Sequence, residues 1–379
     1  MAGKGSWGLW WAGAWALAAS AVASTAAAAD LAVLQVAPLT GVSGGLGWHM
    51  QVGAQVAFDS VNAAGGINGQ RLRLVSVDED PGHVANQVRA LTEKENPVAM
   101  LGTVRSATLD ELLKRNLLQS LQLPVIGVGS GALAVHRQRD PLVYLTRASH
   151  GDELETVFRQ METMQTNRVA LLTTDDKDGL ELQELAKELA ARHGIKLVAL
   201  AAHPADTAMV EDAVRAIQKV PHQAVVLASN TAAVAYFCKL YRKDRGTGQL
   251  VALSSAEATQ LAQVVGKEAA HGVMISQVVP NPRNARVELM REFEAAYRKY
   301  GPQDIEPTLT MTEAYVNARV LIAALQRMPG TPTRAALAKV LAAGDVMDLS
   351  GYRIALHPEQ GPRRSTSVSM IDRDGRVVY

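Results

Sequence analysis

Two loops in this chain hold residue types suited to binding an anion. Gly102-Thr-Val-Arg105-Ser106-Ala107-Thr108 follows an apolar β-rich run and leads into a helix-period segment. A helix N-terminus leaves its first N–H groups unpaired, so small and hydroxyl residues there suit a carboxylate or similar oxyanion. Arg105 adds a planar fork that can hold a carboxylate through two hydrogen bonds; the alternative is a surface arginine paired with Asp110 or Glu111. Gly127-Val-Gly129-Ser130-Gly131-Ala132 follows the next β-rich run, and its glycines let backbone approach a ligand closely. Trp48, just after the loop 40–47, is either a stacking lid over such a ligand or packing between loop and helix.

Residue patterns for covalent, redox or metal chemistry are missing. Gly127-x-Gly129-x-x-Ala132 has the form of a dinucleotide fingerprint, but Thr146-Arg147 stands where the acidic ribose partner belongs. Ser130 has Val128 two residues before it and so sits in no nucleophile elbow, and no P-loop occurs. Asp176-x-Asp178-Gly179 hints at a calcium loop, yet Thr174 and Leu185 occupy its first and twelfth positions. The nine His show no metal-ligand spacing, and Asp78-Glu79-Asp80 reads as a solvated loop. No enzymatic activity, cofactor or metal is expected.

The elements that would carry these loops alternate. β-rich runs at 31–37, 71–77, 97–101, 124–128, 142–146, 168–173, 196–200, 223–228, 249–253 and 272–277 are separated by helix-period segments near 48–62, 84–94, 108–119, 152–163, 179–193, 207–219, 231–244 and 257–265. Such alternation implies α/β architecture with parallel, doubly wound, Rossmann-like sheets. Their ligands meet the loops at the carboxyl ends of strands. After Gln277 the pattern changes to long helices at 284–300, 308–327 and 333–343, then a β-like end from Tyr352 to Tyr379.

The beginning reads as an export leader. Lys4 is its positive residue, 9–22 is an apolar stretch too short to span a bilayer, and small-residue cleavage sites end at Ala23 and Ala29. Cleavage after Ala29 is expected, leaving an exported, soluble protein. Lys4 is the only charge in 1–29, so 37 basic residues face 37 acidic ones beyond it. That balance excludes a nucleic-acid footprint. Cys238 is the single cysteine, so stability rests on burial, and the remaining length calls for two domains.

Pro38-Leu-Thr-Gly41, Gly53-Ala54, Asn62-Ala-Ala-Gly-Gly-Ile-Asn-Gly69, Leu72-Arg-Leu74 and the acidic end at Asp78 resemble the start of the leucine-binding type of periplasmic solute receptor. Further matches, to a branch with poorly defined ligands, are Arg105-Ser-Ala-Thr-Leu109, Thr146-Arg-Ala-Ser149 with Asp152-Glu153, Asp175-Asp176 with Gly179, Gln277-Val-Val-Pro280 and Ser350-Gly-Tyr-Arg353. The resemblance implies a type I periplasmic binding protein fold: two lobes joined by a hinge, with crossings near 147–151, 276–281 and 344–350. The expected division is a leader over 1–29, a first lobe of 30–148 plus 278–345, and a second of 149–277 plus 346–379. It also implies a monomer that delivers a small solute to an ABC transporter permease, with ligand sensing for a signalling system as the alternative. By family position Asp178, Asn230, Ser254 and Ser255 would close over the ligand from the second lobe. Amino-acid receptors place an aromatic residue where this chain has Asp178, and an acid for the ligand ammonium near Ser254, where Glu257 is displaced. A buried ammonium without a partner is costly. A small polar or carboxylate-bearing solute is therefore expected, with branched-chain amino-acid binding as the alternative.

Overall fold

A computed structural model describes residues 29–41, 43–343, 346–356, 364 and 366–378. Apart from Ala29, the expected leader lies outside the described residues. The chain runs β1 (Leu31–Ala37), α1 (Gly44–Ala63), β2 (Leu72–Asp78), α2 (Val84–Glu95), β3 (Ala99–Leu101), α3 (Ser106–Lys114), α4 (Leu117–Leu121), β4 (Val125–Ile126), α5 (Leu133–Arg137) and β5 (Val143–Tyr144). These strands form a wholly parallel sheet in the order β2-β1-β3-β4-β5, with Val33 against Ala99 and Met100 against Val125. The chain then builds α6 (His150–Thr163), β6 (Arg168–Thr174), α7 (Lys177–Arg192), β7 (Lys196–His203), α8 (Glu211–Gln218), β8 (Ala224–Leu227), α9 (Thr231–Lys243), β9 (Gln249–Ala252), α10 (Ala258–Val265), α11 (Lys267–Ala270) and β10 (Met274–Gln277).

The second sheet repeats the first. Its parallel part runs β7-β6-β8-β9-β10, the same doubly wound order, and two later antiparallel strands extend it beside β10. In both sheets the order reverses beside the first strand, between β1 and β3 and between β6 and β8. That reversal opens a crevice at the carboxyl ends where a ligand can enter.

The late elements return to the first lobe. α12 (Glu288–Tyr300), α13 (Leu309–Gln326), α14 (Arg334–Ala342) and the hairpin β11 (Met347–Leu349) with β12 (Tyr352–Ile354) join one apolar core with α1. β13 (Ser367–Ile371) and β14 (Val377–Val378) finish the second sheet. Met347, Leu349, Ile354 and Leu356 pack with the first core. The sequence expectation instead set the last crossing at 344–350. Each sheet is thus covered on both faces, the first by separate cores under α1 and α13 and under α2, α3 and α4.

α1 and α13 pack closely against each other. A β-carbon at Gly53 would collide with the Met311 carbonyl, and one at Gly47 with that of Pro38. The glycines that lower helix propensity therefore let α1 lie directly on α13 and on the loop after β1. This explains why the helix begins at Gly44, ahead of the expected position 48. α13 is buried nearly all round and carries Glu313 and Asn317 into the interior. Asn317 donates to the Gly127 carbonyl at 3.3 Å and accepts from Thr146 at 2.5 Å, tying α13 to the ends of β4 and β5. The expected helix 108–119 is two helices, because Asn116 adopts a left-handed backbone with φ of 50°.

Candidate functional site

The carboxyl ends of the two sheets face one another across a cavity of about 230 Å³. The first lobe lines it with Arg105, Ser106, Ala107, Gly129, Ser130 and Gly131, and the second with Asp178, Asn230, Ser254 and Ser255. Ten of the eleven residues singled out from sequence thus come together, although they span 150 positions. Trp48 does not line this cavity. It packs against the first-lobe core, its ring 5.3 Å from that of His49. A larger hollow, about 770 Å³, lies at the amino ends of the first sheet beside Asp30, Asn96 and Arg334, away from the converging loops.

α3 starts in the cavity with no side-chain cap, so the N–H groups of its first turn have no partner within the helix. By contrast α6, α7 and α9 are capped by Ser149, Asp176 and Asn230. The open donors and the positive dipole end suit an anion. Gly131 allows the second lobe to approach: a β-carbon there would strike the His150 ring, and its carbonyl accepts the His150 N–H at 2.7 Å. The His150 side chain also lines the cavity, with Nε2 buried and unpartnered. Burial holds its pKa below the usual histidine range, with the Arg147 charge acting in the same direction. It is therefore a neutral imidazole with a hydrogen bond to offer.

Polar contacts join the lobes around the rim. Ser106 Oγ donates to Asp178 at 2.5 Å, and Arg137 reaches Glu181. Arg105 takes neither Asp110 nor Glu111. Its Nε lies 3.1 Å from Glu79 of its own lobe, and its Nη2 bonds Asp206 of the other. Asp110 and Glu111 instead face Lys114 and Arg115. Burial raises the Glu79 pKa, opposed by the Thr108 hydroxyl and the Arg105 charge.

The cavity floor holds a group that the sequence reading did not assign to the site. Arg147, 3% exposed, donates to the Gly129 carbonyl at 2.6 Å and Ser254 Oγ at 2.5 Å, and lies 3.3 Å from Glu153 and 3.5 Å from Glu313. Glu153 is wholly buried and accepts from Ser254 N and Oγ, both at 2.8 Å, and from Ser276 Oγ. Burial raises the Glu313 pKa; Arg147 opposes that shift and Glu153 adds to it. A signal for Glu313 was present, since it is the only charge among residues 309–318 of an otherwise apolar helix. Arg147 stood in view as the residue that broke a dinucleotide pattern. Among the described residues no group of three potential metal ligands occurs, and no helix is long and apolar enough to cross a membrane.

Comparison with known proteins agrees with this architecture. A family profile described as "Periplasmic binding protein" matches residues 13–375. A substrate-binding periplasmic protein from Ralstonia solanacearum superposes with a TM-score of 0.85 at 29% identity, covering 92% of this chain and 99% of that one. An extracellular ligand-binding receptor from Verminephrobacter eiseniae gives 0.85 at 27% identity, covering 92% and 100%. The Leu/Ile/Val-binding protein homolog 7 of Brucella melitensis is 22% identical over 369 residues, 92% of this chain and 90% of its own length. With two doubly wound lobes around a cleft and a profile match over nearly its whole length, the chain belongs to the periplasmic binding protein family, in its type I, leucine-binding-like class.

Proposed function

We propose that the protein captures a small carboxylate-bearing solute between its lobes outside the cytoplasmic membrane and delivers it to an ABC transporter permease. The observation that carries this reading is the uncapped start of α3, with Ser106 and Ala107 on the cavity wall opposite a second lobe. The carboxylate accepts from backbone N–H groups there, while Gly129 and Gly131 let it approach the neighbouring loop. Ser106 already gives its hydroxyl proton to Asp178, so main-chain donors do most of the binding. The apolar part of the solute lies against Leu46, Met50, Val104 and Leu182. Asp178, Asn230, Ser254 and Ser255 then close over it, and His150 supplies one further hydrogen bond.

Ligand and rim contacts both favour the closed arrangement, so binding shifts the population toward the form with both lobes in contact. A permease that recognises that form receives loaded protein. A thermal-shift screen of the protein lacking residues 1–29, against amino acids, dicarboxylates, aromatic acids and neutral amides, tests the ligand class. Stabilisation confined to carboxylate-bearing compounds supports the reading; stabilisation by neutral amides alone defeats it.

A further inference from the structure

A side hollow of about 310 Å³ opens next to the cavity and exceeds it in volume. It lies between α3 and α5 of the first lobe and the first turn of α7 of the second. Ser106, Ala107, Asp176 and Asp178 line both spaces. The 2.5 Å hydrogen bond from Ser106 Oγ to Asp178 therefore sits on their common boundary. Beyond that boundary the wall is apolar. Leu109 and Leu113 come from successive turns of α3, Ala134 and Val135 from α5, and none of the four lines the cavity itself. The carboxylates around the hollow are already engaged: Asp110 with Lys114 at 2.5 Å, Asp176 with Thr174 Oγ1 at 2.7 Å and the Gly179 N–H at 2.9 Å, and Asp178 with Ser106. Such walls offer contact area to an uncharged apolar group and no open carboxylate to a cation.

Resting on the reading that the ligand's carboxylate meets the start of α3, we propose that the side hollow takes an apolar tail of the same solute, threaded past Ser106 and Asp178. The ligand class then narrows to elongated carboxylates whose far end is uncharged and apolar. One hydrogen bond to a half-buried carboxylate is a partition that a solute can displace, because water replaces the lost partner. Both lobes wall the hollow, so the tail is fully covered only when the first turn of α7 lies against α3 and α5. Its burial then adds to the drive for closure.

The test titrates butyrate, octanoate and octanamide by calorimetry into the protein lacking residues 1–29 and into two variants of it, with circular dichroism confirming that each is folded. Wild type is expected to bind octanoate at least about thirtyfold more tightly than butyrate, since each buried methylene is worth about threefold. Ala134→Phe fills the hollow from a half-buried helix position outside the cavity, and should bring octanoate to within about threefold of butyrate. Leu113→Gln, which makes the wall polar without filling it, is expected to fall between the two. If octanoate binds wild type no better than butyrate, or if its advantage survives both substitutions, the side hollow is not the seat of a tail and the carboxylate reading stands. Octanamide separates the two claims: binding as tight as that of octanoate, lost in Ala134→Phe, keeps the hollow and removes the carboxylate. If none of the three compounds binds, both are overturned.

Discussion

Replacing Arg147 by Met should destabilise the protein strongly, and the size follows from what its side chain holds. Arg147 is 3% exposed, and its guanidinium lies within 3.5 Å of Glu153, Glu313, Ser254 and the Gly129 and Ala148 carbonyls. Methionine fills much of the volume but leaves two carboxylates beside each other without a cation. Breaking a buried pair by removing one partner costs about 3–5 kcal/mol, chiefly through the charge left behind. For a chain of this size that lowers the melting temperature by on the order of 10 °C. Urea unfolding at pH 7.5, followed by circular dichroism and by Trp48 fluorescence, measures it, with both probes needed because two lobes need not unfold together. Glu313→Gln removes the surplus charge instead of its partner and should change stability by less than about 1 kcal/mol in either direction. An Arg147→Met midpoint equal to that of wild type, or a Glu313→Gln loss as large as the Arg147→Met loss, refutes the charge count on which the floor cluster rests.

Two further outcomes follow from particular side chains. Because the Arg105 fork is taken up by Glu79 and Asp206, Arg105→Ala should weaken carboxylate binding by only about two- to fivefold, the worth of a partly exposed ion pair, and less at high salt; a hundredfold loss by calorimetry makes Arg105 a direct anchor instead. His49 is 6% exposed, and burial lowers its pKa to about 4, below the unfolded value of 6.5. The stability it contributes is therefore complete above pH 6.5 and is lost as pH falls toward 4, about 2 kcal/mol by pH 5. Glu313, its pKa raised, acts with the opposite sign, so the comparison is between wild type and His49→Gln, whose stability curve should be flatter across that window. Parallel curves for the two proteins reject the assignment to His49.

The parts of the fold that were legible in sequence are those set by local pattern. Runs such as Leu31–Ala37 and Ala224–Leu227 are apolar because both faces of a parallel sheet are covered, and glycine-rich loops mark the strand ends where backbone must come close. Hence the cavity loops were found as loops. What stayed hidden depends on contacts between distant segments. Arg147 and Glu313 lie 166 residues apart and meet only because α13 returns to the first lobe beside β4 and β5. The same return explains the start of α1, whose glycines look unhelical until α13 and Pro38 are set against them. It also explains the hairpin of β11 and β12, whose apolar residues read equally well as either lobe. Trp48 carried no periodic signal to separate lid from packing, and the first-lobe core claims its ring.

Calorimetric titration of wild type and an Ala107→Phe variant, with whichever carboxylate solute binds wild type most tightly, tests solute capture at the start of α3 most directly. Ala107 lines the cavity there, so a phenyl ring would occupy the space assigned to the ligand. Affinity is expected to fall at least about a hundredfold, while Thr333→Phe, at the amino end of the same sheet, leaves it unchanged. Undiminished binding to the folded Ala107→Phe protein would contradict the account and place the solute elsewhere.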